Sequence, residues 1–519
     1  MNGCKRIIQG LFAAVMAVIL YLLLFVADDL DFYLKKWFLI PQWKMMILGT
    51  AGIAGVYFLC KAVFWQRDQS DICMNRKYTR ILECLLWGML FVLQAAFCYF
   101  TYFLTDWDAG YVLSEAYLWA ASRKPEYVNS FYFSQYNNQV LIFEIFALII
   151  RAFISLAGEP GLDRCALILI FVQCLLNTFT GCMLRHVALR LTRSQVFSIF
   201  VSLVYLVFVG LSPWLMIPYS DGMTLFVPVL TLLLYQRQRE SQHKSAYAAV
   251  IGAVAVYGYL MKPQSVILTI AIGLYETARL LFAQRSREWM KRIGVMLVVI
   301  ILGVGQFNHM IVNYSVLNVD RTQNLGMMHF FMLGMNEETR GTYSDMDVIE
   351  SMQMPAEERS NIQFHTAIER IRKMGLQGFL ELMRDKTLIN FADGTFAWGI
   401  NGVFYEQMIA DKDAVISPFL KSVVYTYGEH YPMYSTVLQC IWLALLLGAA
   451  LTLGVGKWMR KTGQEDMLYV LQLSLIGLAV FEWIFEAKAR YLYIFAPIYV
   501  LMGMLGICSV LKGIRNGKQ

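Results

Sequence analysis

The feature that most constrains this sequence is a succession of long apolar runs, most of them separated by short polar segments. An α-helix needs about 20 apolar residues to cross the roughly 30 Å hydrocarbon core of a membrane. Runs of about that length lie near 6–27, 45–64, 81–104, 163–184, 194–212, 219–235, 246–261, 264–283, 290–313, 434–455, 466–484 and 491–511. The sequence therefore predicts an all-α polytopic membrane protein with about twelve transmembrane helices.

Composition supports this class and excludes others. Only 16% of the residues are charged, whereas soluble globular chains carry roughly 25%. The net charge of +7 comes from short basic clusters between the apolar runs, so we expect no nucleic-acid partner. The ten cysteines are scattered and predict neither a disulfide framework nor a metal site. The first run is too long for a signal-peptide core and lacks a small-residue cleavage site, so we expect it to remain as a membrane helix.

Topology depends on one ambiguous stretch, Gln139 to Ala157, which carries Glu144 and Arg151 in its middle. It either spans the membrane or lies along the interface as an amphipathic helix. If it lies flat, all the basic clusters fall on one side, which is then the cytoplasm. Those clusters are Lys5–Arg6, Arg67–Arg80, Arg185–Arg193, Arg237–Lys244, Arg285–Arg292, Lys457–Lys461 and Lys512–Lys518. We favour the flat orientation, with both termini cytoplasmic in a multi-pass protein of the cell membrane.

This topology predicts four regions along the chain. Residues 1–80 hold two N-terminal transmembrane helices and a cytoplasmic loop, and 81–313 form a membrane core with an outer loop at 105–138. Residues 314–433 form a small extracytoplasmic segment, in which 361–386 has helical spacing of apolar residues. Residues 434–519 supply the C-terminal transmembrane helices. Any chemistry is expected on the extracytoplasmic face.

The outer loop offers two acidic residues in the sequence TDWDAGY, Asp106 and Asp108. A solvated loop with interfacial aromatics explains them without function. A carboxylate held at the lipid surface also suits a general base, because a partly dry environment raises its basicity. The nearby run FYFSQYNN adds Tyr132, Tyr136 and Asn137 as predicted substrate contacts.

Three further charged residues lie in short outer turns. Asp221 follows two prolines in the sequence IPYSDG and is either a helix N-cap or a site residue. Lys262 precedes Pro263 between two spans and is either a snorkelling lysine or a site cation. Arg490, in EAKARYLY, opposes the positive-inside trend. Arginine binds phosphate through paired hydrogen bonds, so a lipid phosphate is one explanation for it.

The external segment has less specific signals. Its runs FADGTFAWG and MMHFFMLGMN combine aromatics with polar residues, which suits a sugar, although a turn at Asp393–Gly394 explains the first run without any ligand. His329 and His365 lack partners at ligand spacing, so the sequence predicts no metal site.

Taken in order, the motifs DWDAGYV, FYFSQYNN, PYSDG, MKPQS and EAKARYLYIFAP resemble those of the GT-C superfamily of membrane glycosyltransferases. The nearest resemblance is to bacterial members of the protein O-mannosyltransferase and aminoarabinose transferase group, over about residues 81–511. The resemblance implies a GT-C-like fold and transfer of a hexosyl or pentosyl group from a polyprenyl-phosphate carrier. The acceptor would be a lipid, a protein or a wall polymer in the cell envelope. It implies a lipid-linked sugar donor but no certain cofactor, and members differ in their use of a divalent metal.

The same resemblance implies roles for individual residues. Asp108 would be the catalytic base and Asp106 its rival, because the family usually shows an adjacent acidic pair where Trp107 intervenes here. Lys262 and Arg490 would hold the carrier phosphate, and Asp221 would position donor or acceptor groups.

Two other classes of function also fit a polytopic chain with basic inner loops. A transporter or lipid flippase is expected to bury ionisable residues near mid-membrane, but the clearest candidates, Glu83, Glu276 and Glu482, lie close to predicted helix ends. A scaffold that binds a partner through its external segment would tolerate replacement of Asp108. The outer clustering of acids and cations favours the enzyme.

Overall fold

The protein is described from a computed structural model that covers residues 2–27, 37–69, 76–122, 124–158, 160–282, 287–314 and 316–516. The elements of the N-terminal half are α1 (Asn2–Phe25), α2 (Gln42–Gln69), α3 (Arg76–Thr101), β1 (Phe103–Thr105), α4 (Asp108–Ser122), α5 (Ser130–Gln135), α6 (Val140–Ala157), α7 (Leu162–Thr192), α8 (Gln195–Tyr205), α9 (Ser220–Thr224), α10 (Phe226–Glu240), α11 (Lys244–Met261) and α12 (Ile267–Phe282). The second half holds α13 (Arg287–Tyr314), α14 (Gly326–Gly334), α15 (Asp345–Gln353), α16 (Arg359–Phe391), α17 (Trp398–Asn401), β2 (Tyr405–Met408), α18 (Ile416–Val424), α19 (Tyr431–Leu451), α20 (Gly456–Thr462), α21 (Glu465–Ile484) and α22 (Ala496–Asn516). The prediction of an all-α polytopic membrane protein is confirmed.

Eleven helices in the described ranges are long and apolar enough to span a membrane. Ten of them correspond to predicted spans, and the eleventh, Asn137–Ala157, is the ambiguous stretch. The predicted spans at 194–212 and 219–235 are absent from this set. The first is a short helix, Gln195–Gly210, and the second is divided at Leu225 into α9 and α10.

Ionic contacts identify the two ends of the helix bundle and show that the divided helix also crosses it. Asp221 at the start of α9 lies 3.5 Å from Arg490. Arg239 at the end of α10 donates to Asp466 over 2.8 Å, at the first turn of α21. Because α21 runs from Asp466 towards Arg490, residues 220–240 connect opposite ends of the bundle. The 219–235 span therefore crosses the bundle even though its helix is interrupted.

The ambiguous helix α6 lies in a segment that leaves and re-enters the bundle at one end. The helices α3 and α7 pack antiparallel, since Gln94 Nε2 donates to Asn177 Oδ1 over 2.8 Å and the sulfurs of Cys98 and Cys174 lie 4.0 Å apart. The last turn of α3 is thus beside the part of α7 around Cys174, in the N-terminal half of that helix. The intervening segment, which contains α4, α5 and α6, makes no net crossing, which is the parity that the flat orientation of α6 requires.

Several of the basic clusters meet at the other end of the bundle. Asp466 accepts hydrogen bonds from Arg239 (2.8 Å), Arg279 (2.7 Å) and Tyr275 (2.5 Å), and it lies 3.4 Å from Lys5. These cations come from two of the predicted basic clusters, Lys5–Arg6 and Arg237–Lys244, and from α12. Their convergence agrees with the expectation that the clusters share one side of the membrane.

The segment between α13 and α19 forms a cap on the opposite end, in which α14 and α16 bury a small apolar core of Met332, Met335, Ala367 and Leu382. The predicted helix at 361–386 lies inside α16, which is kinked at Gly375. The segment is not wholly separate from the bundle. Trp214 donates to the carbonyl of Thr395 over 3.1 Å and Trp442 donates to that of Phe391 over 2.7 Å, so the chain after α16 is packed among the transmembrane helices.

Candidate functional site

The outer loop places Asp108 at the first position of α4, where its side chain is exposed. A carboxylate is stable there because the helix N-terminus carries partial positive charge. The approach of α4 to β1 depends on Gly110, since a Cβ at that position would come within 1.6 Å of the Thr105 carbonyl oxygen. The glycine of the DWDAG motif therefore fixes the direction in which Asp108 projects.

Asp108 faces a group of tyrosines. The Tyr132 hydroxyl hydrogen-bonds to it, and burial together with the nearby Asp108 carboxylate raises the pKa of Tyr132. Tyr136 is next to Tyr132, with ring centroids 5.2 Å apart, and burial raises its pKa too. Asp106 is also exposed and makes no such contact among the described residues. The structure thus distinguishes the two acids by their surroundings.

Trp107, the residue between the two acids, packs against the side chain of Arg490. The guanidinium carbon of Arg490 lies 4.2 Å from the centre of the Trp107 ring and 5.4 Å from that of Tyr219. Trp107 and Tyr219 also pack edge to face, with centroids 5.0 Å apart. Aromatic faces attract cations through their negative π-electron density. The departure from an adjacent acidic pair therefore creates a platform for Arg490.

Asp221 binds both predicted cations. Its carboxylate forms an ion pair with Lys262 and lies 3.5 Å from Arg490 Nε. All three side chains are buried, with relative exposures of 3%, 6% and 3% for Asp221, Lys262 and Arg490. The N-cap of α9 is Tyr219, and it makes no side-chain capping bond. The helix-cap explanation for Asp221 is therefore wrong.

Lys262 is held in the turn after α11 and does not snorkel. Its ammonium lies 4.8 Å from the centre of the Tyr491 ring and 5.8 Å from that of Tyr219. Pro263 begins the following helical turn, where a residue without an N–H is well tolerated. The MKP sequence thus directs the lysine towards the site.

The turn from Phe485 to Arg490, which we call the cationic turn, adds Lys488 and Glu486. Glu486 is buried, accepts a hydrogen bond from Tyr491 over 2.8 Å, and lies 3.9 Å from the Lys488 ammonium. Burial lowers the pKa of Lys488, and Glu486 opposes that shift. Lys488 interacts electrostatically with both Asp108 and Asp221. It is a site residue that the sequence analysis did not select, although it breaks the positive-inside pattern as Arg490 does.

Asn137 is the predicted contact with the clearest local role. With its amide oriented to suit its neighbours, it donates to the carbonyls of Phe133 (2.7 Å) and Ser134 (3.3 Å), so it closes the end of α5. Gln139, two residues later, donates to the Tyr219 hydroxyl over 2.6 Å. Gln139 thus links the loop to the platform of Arg490.

Comparison with known proteins shows the family of this chain. A family model described as "Conserved hypothetical integral membrane protein" matches residues 1–510. The chain belongs to that family. No curated protein matches it. Among solved structures, it is similar to the Archaeoglobus fulgidus oligosaccharyltransferase in the apo form, at 12% identity and a TM-score of 0.44. The alignment covers 84% of this chain and 51% of that one, so the chain spans about half the length of that protein.

The site of this integral membrane protein thus combines an exposed carboxylate with three cations at one end of the bundle. Of the residues predicted from sequence, Asp108, Asp221, Lys262, Arg490, Tyr132 and Tyr136 come together. In the described part of the chain, no group of three or more His, Cys, Asp or Glu residues lies close enough to hold a metal ion. The geometry suits proton transfer beside a bound anion.

Proposed function

We propose that the protein is a GT-C-like glycosyltransferase that moves a sugar from a polyprenyl-phosphate carrier to an acceptor on the extracytoplasmic side of the cell membrane. The observation that carries the proposal is the contact of the buried Arg490 with Trp107, whose ring centre lies 4.2 Å from the guanidinium carbon, because Trp107 directly precedes the exposed Asp108. A base and a phosphate-binding cation are the two groups that this transfer requires. The order of the sequence motifs supplies the reaction class.

The cations suit a phosphate leaving group. Nη1 of Arg490 is buried and has no hydrogen-bond partner among the residues that the structure describes, whereas Nε lies 3.5 Å from Asp221, so Nη1 is the nitrogen that this proposal assigns to a phosphate oxygen. Lys262 and Lys488 both lie close enough to Arg490 to interact with it electrostatically. Preorganised cations stabilise the charge that develops on a departing phosphate. Asp221 holds Lys262 and Arg490 together, and in this proposal it positions the donor through them.

The proposed reaction is a single displacement. Asp108 accepts the proton of the acceptor hydroxyl or amine as that atom attacks the anomeric carbon. The bond between the anomeric carbon and the phosphate oxygen breaks, and its electron pair leaves with the polyprenyl phosphate. Because a phosphate departs as a stable anion, no second carboxylic acid is needed. The sugar is transferred with inversion at the anomeric carbon.

Transfer from radiolabelled polyprenyl-phosphate sugars to membrane extracts tests this function, with membranes lacking the protein as control. The proposal predicts a labelled product whose anomeric configuration is opposite to that of the donor. Label transferred with retained configuration would contradict the single displacement. Unchanged donor that crosses the vesicle membrane, with no labelled product, would favour the transporter or flippase.

A further inference from the structure

The second half of α16, which belongs to the cap, is hydrogen-bonded to the cationic turn. Lys386 is fully buried, and its ammonium donates to the carbonyl of Gly334 over 2.8 Å and to that of Phe485 over 2.7 Å. Phe485 is the first residue of the cationic turn, whereas Gly334 ends α14. One side chain of the cap thus ties two distant backbone segments together.

Two further sets of hydrogen bonds surround that of Lys386. The amide of Ala487, inside the cationic turn, donates to the carbonyl of Gly341 over 2.7 Å. Trp483 donates to the Thr387 hydroxyl over 2.9 Å, and Asn390 donates to the carbonyl of Glu482 over 3.4 Å. The chain before and within the cationic turn is therefore hydrogen-bonded to the cap at several successive positions.

Two glycines permit this close packing. A Cβ on Gly334 would come within 2.4 Å of the Ile484 carbonyl oxygen, and one on Gly341 would meet Lys386 Cδ at 2.9 Å. Gly341 also has a φ of 77°, which other residues rarely adopt. The backbone of the cap is thus shaped to receive both the turn and the lysine.

Joining two segments through a buried lysine costs free energy, because the ammonium must lose its water. An apolar side chain of similar length fills such a space without the several kcal/mol that desolvating an ammonium costs. Glu482 lies close enough to interact electrostatically with Lys386. Its two buried carboxylate oxygens have no hydrogen-bond partner within the described ranges. Lys386, Glu482 and Asn390 thus form a buried polar cluster where the cap meets the end of α21.

We propose that Lys386 is a positioning residue that fixes the cationic turn, and hence Lys488 and Arg490, against the membrane bundle. Lys386 does not touch the proposed donor. It acts by holding the Phe485 carbonyl at the start of the turn, five residues before Arg490, whose side chain packs on Trp107. Its consequence for catalysis rests on the proposed glycosyltransferase function, whereas its consequence for the turn does not.

Hydrogen–deuterium exchange on the purified full-length protein tests the positioning role without any substrate. In Lys386→Met, we expect the amides from Ala487 to Arg490 to exchange at least about tenfold faster, which corresponds to ~1.4 kcal/mol of lost protection. Amides in α19 and α22 should be unchanged. The matched control is Lys373→Met, because Lys373 is an exposed lysine of the same helix. Exchange of the turn within twofold of the parent would overturn the proposal.

A second variant separates positioning from a general loss of cap stability. Leu382→Ala weakens the apolar core of the cap but leaves the Lys386 hydrogen bonds in place. It should speed exchange in α14 and α16 more than in the cationic turn. An equal effect of both variants on the turn would show that Lys386 contributes stability alone and would refute positioning.

Kinetics then test the link to catalysis. If the parent protein transfers sugar, Lys386→Met should raise the donor KM about tenfold with a smaller change in kcat. Leu382→Ala should lower the yield of folded protein and leave the donor KM unchanged. An unchanged donor KM in Lys386→Met would overturn the catalytic part. If the parent itself transfers no sugar, the proposed function fails, and the exchange result still decides whether Lys386 holds the turn.

Discussion

Replacing Asp221 by Asn removes the carboxylate that lies between Lys262 and Arg490. Breaking a buried ion pair by removing one partner costs about 3–5 kcal/mol, because the other charge is left buried without compensation. Here two buried cations lose their partner, although both retain aromatic rings within 6 Å. We therefore expect Asp221→Asn to reduce the free energy of unfolding by about 3 kcal/mol.

A double-mutant cycle shows whether this loss comes from the ion pair. Lys262→Met alone should cost about 2 kcal/mol, since Asp221 keeps Arg490 at 3.5 Å. The double variant should cost about 2 kcal/mol less than the sum of the two. Equilibrium unfolding in mixed micelles, followed by helical circular dichroism, measures all four states. Asp106→Asn is the control, because an exposed carboxylate should change stability by at most about 0.5 kcal/mol.

The reasoning is refuted by additive effects. If the losses in the two single variants sum to that of the double variant within about 0.5 kcal/mol, Asp221 and Lys262 are not coupled. A loss of less than about 1 kcal/mol in Asp221→Asn would show that the carboxylate is not needed to compensate the buried cations.

Three further predictions follow from single contacts. Gly110→Ala places a Cβ within 1.6 Å of the Thr105 carbonyl oxygen and displaces Asp108, so sugar transfer should fall by about 100-fold. The control is Gly88→Ala, whose Cβ meets nothing within 4 Å and should leave sugar transfer unchanged. Arg490→Lys loses the planar contact with Trp107 and the paired donors, so the donor KM should rise by about tenfold, and an unchanged KM would contradict the phosphate-binding role. Burial lowers the pKa of His329 to about 4. Between about pH 6.5 and pH 4, the histidine of the unfolded chain therefore binds a proton that the buried ring does not. The cap should lose up to ~3 kcal/mol of stability as the pH falls through this range. Exchange of cap amides against pH measures this loss, and His329→Gln should abolish it.

The topology was predictable from sequence because it depends on local quantities. Apolar length and the distribution of Lys and Arg were enough to place ten of the spanning helices and to expect the flat orientation of 139–157. The interruption at Leu225 was not predicted. Its local cause is Pro228, which lacks the N–H that would donate to the carbonyl of Thr224.

The site was partly predictable for a related reason. Charged residues in outer turns stand beside apolar runs, so they can be recognised from the sequence without a structure. Asp108, Asp221, Lys262 and Arg490 are of this kind. Lys386 was missed because it lies within a long helix whose spacing looks ordinary. Its partners Gly334 and Phe485 are 52 and 99 residues away. The role of Trp107 was equally hidden, since Arg490 reaches it only in the folded protein.

One comparison of two variants decides whether Asp108 is the base of a sugar transfer. Transfer from a polyprenyl-phosphate sugar is measured for Asp108→Asn and Asp106→Asn at matched amounts of folded protein, with the parent as reference. We expect a loss of about 100-fold or more for Asp108→Asn and near-parental transfer for Asp106→Asn. Equal transfer by the parent and Asp108→Asn, or loss in Asp106→Asn alone, would contradict it.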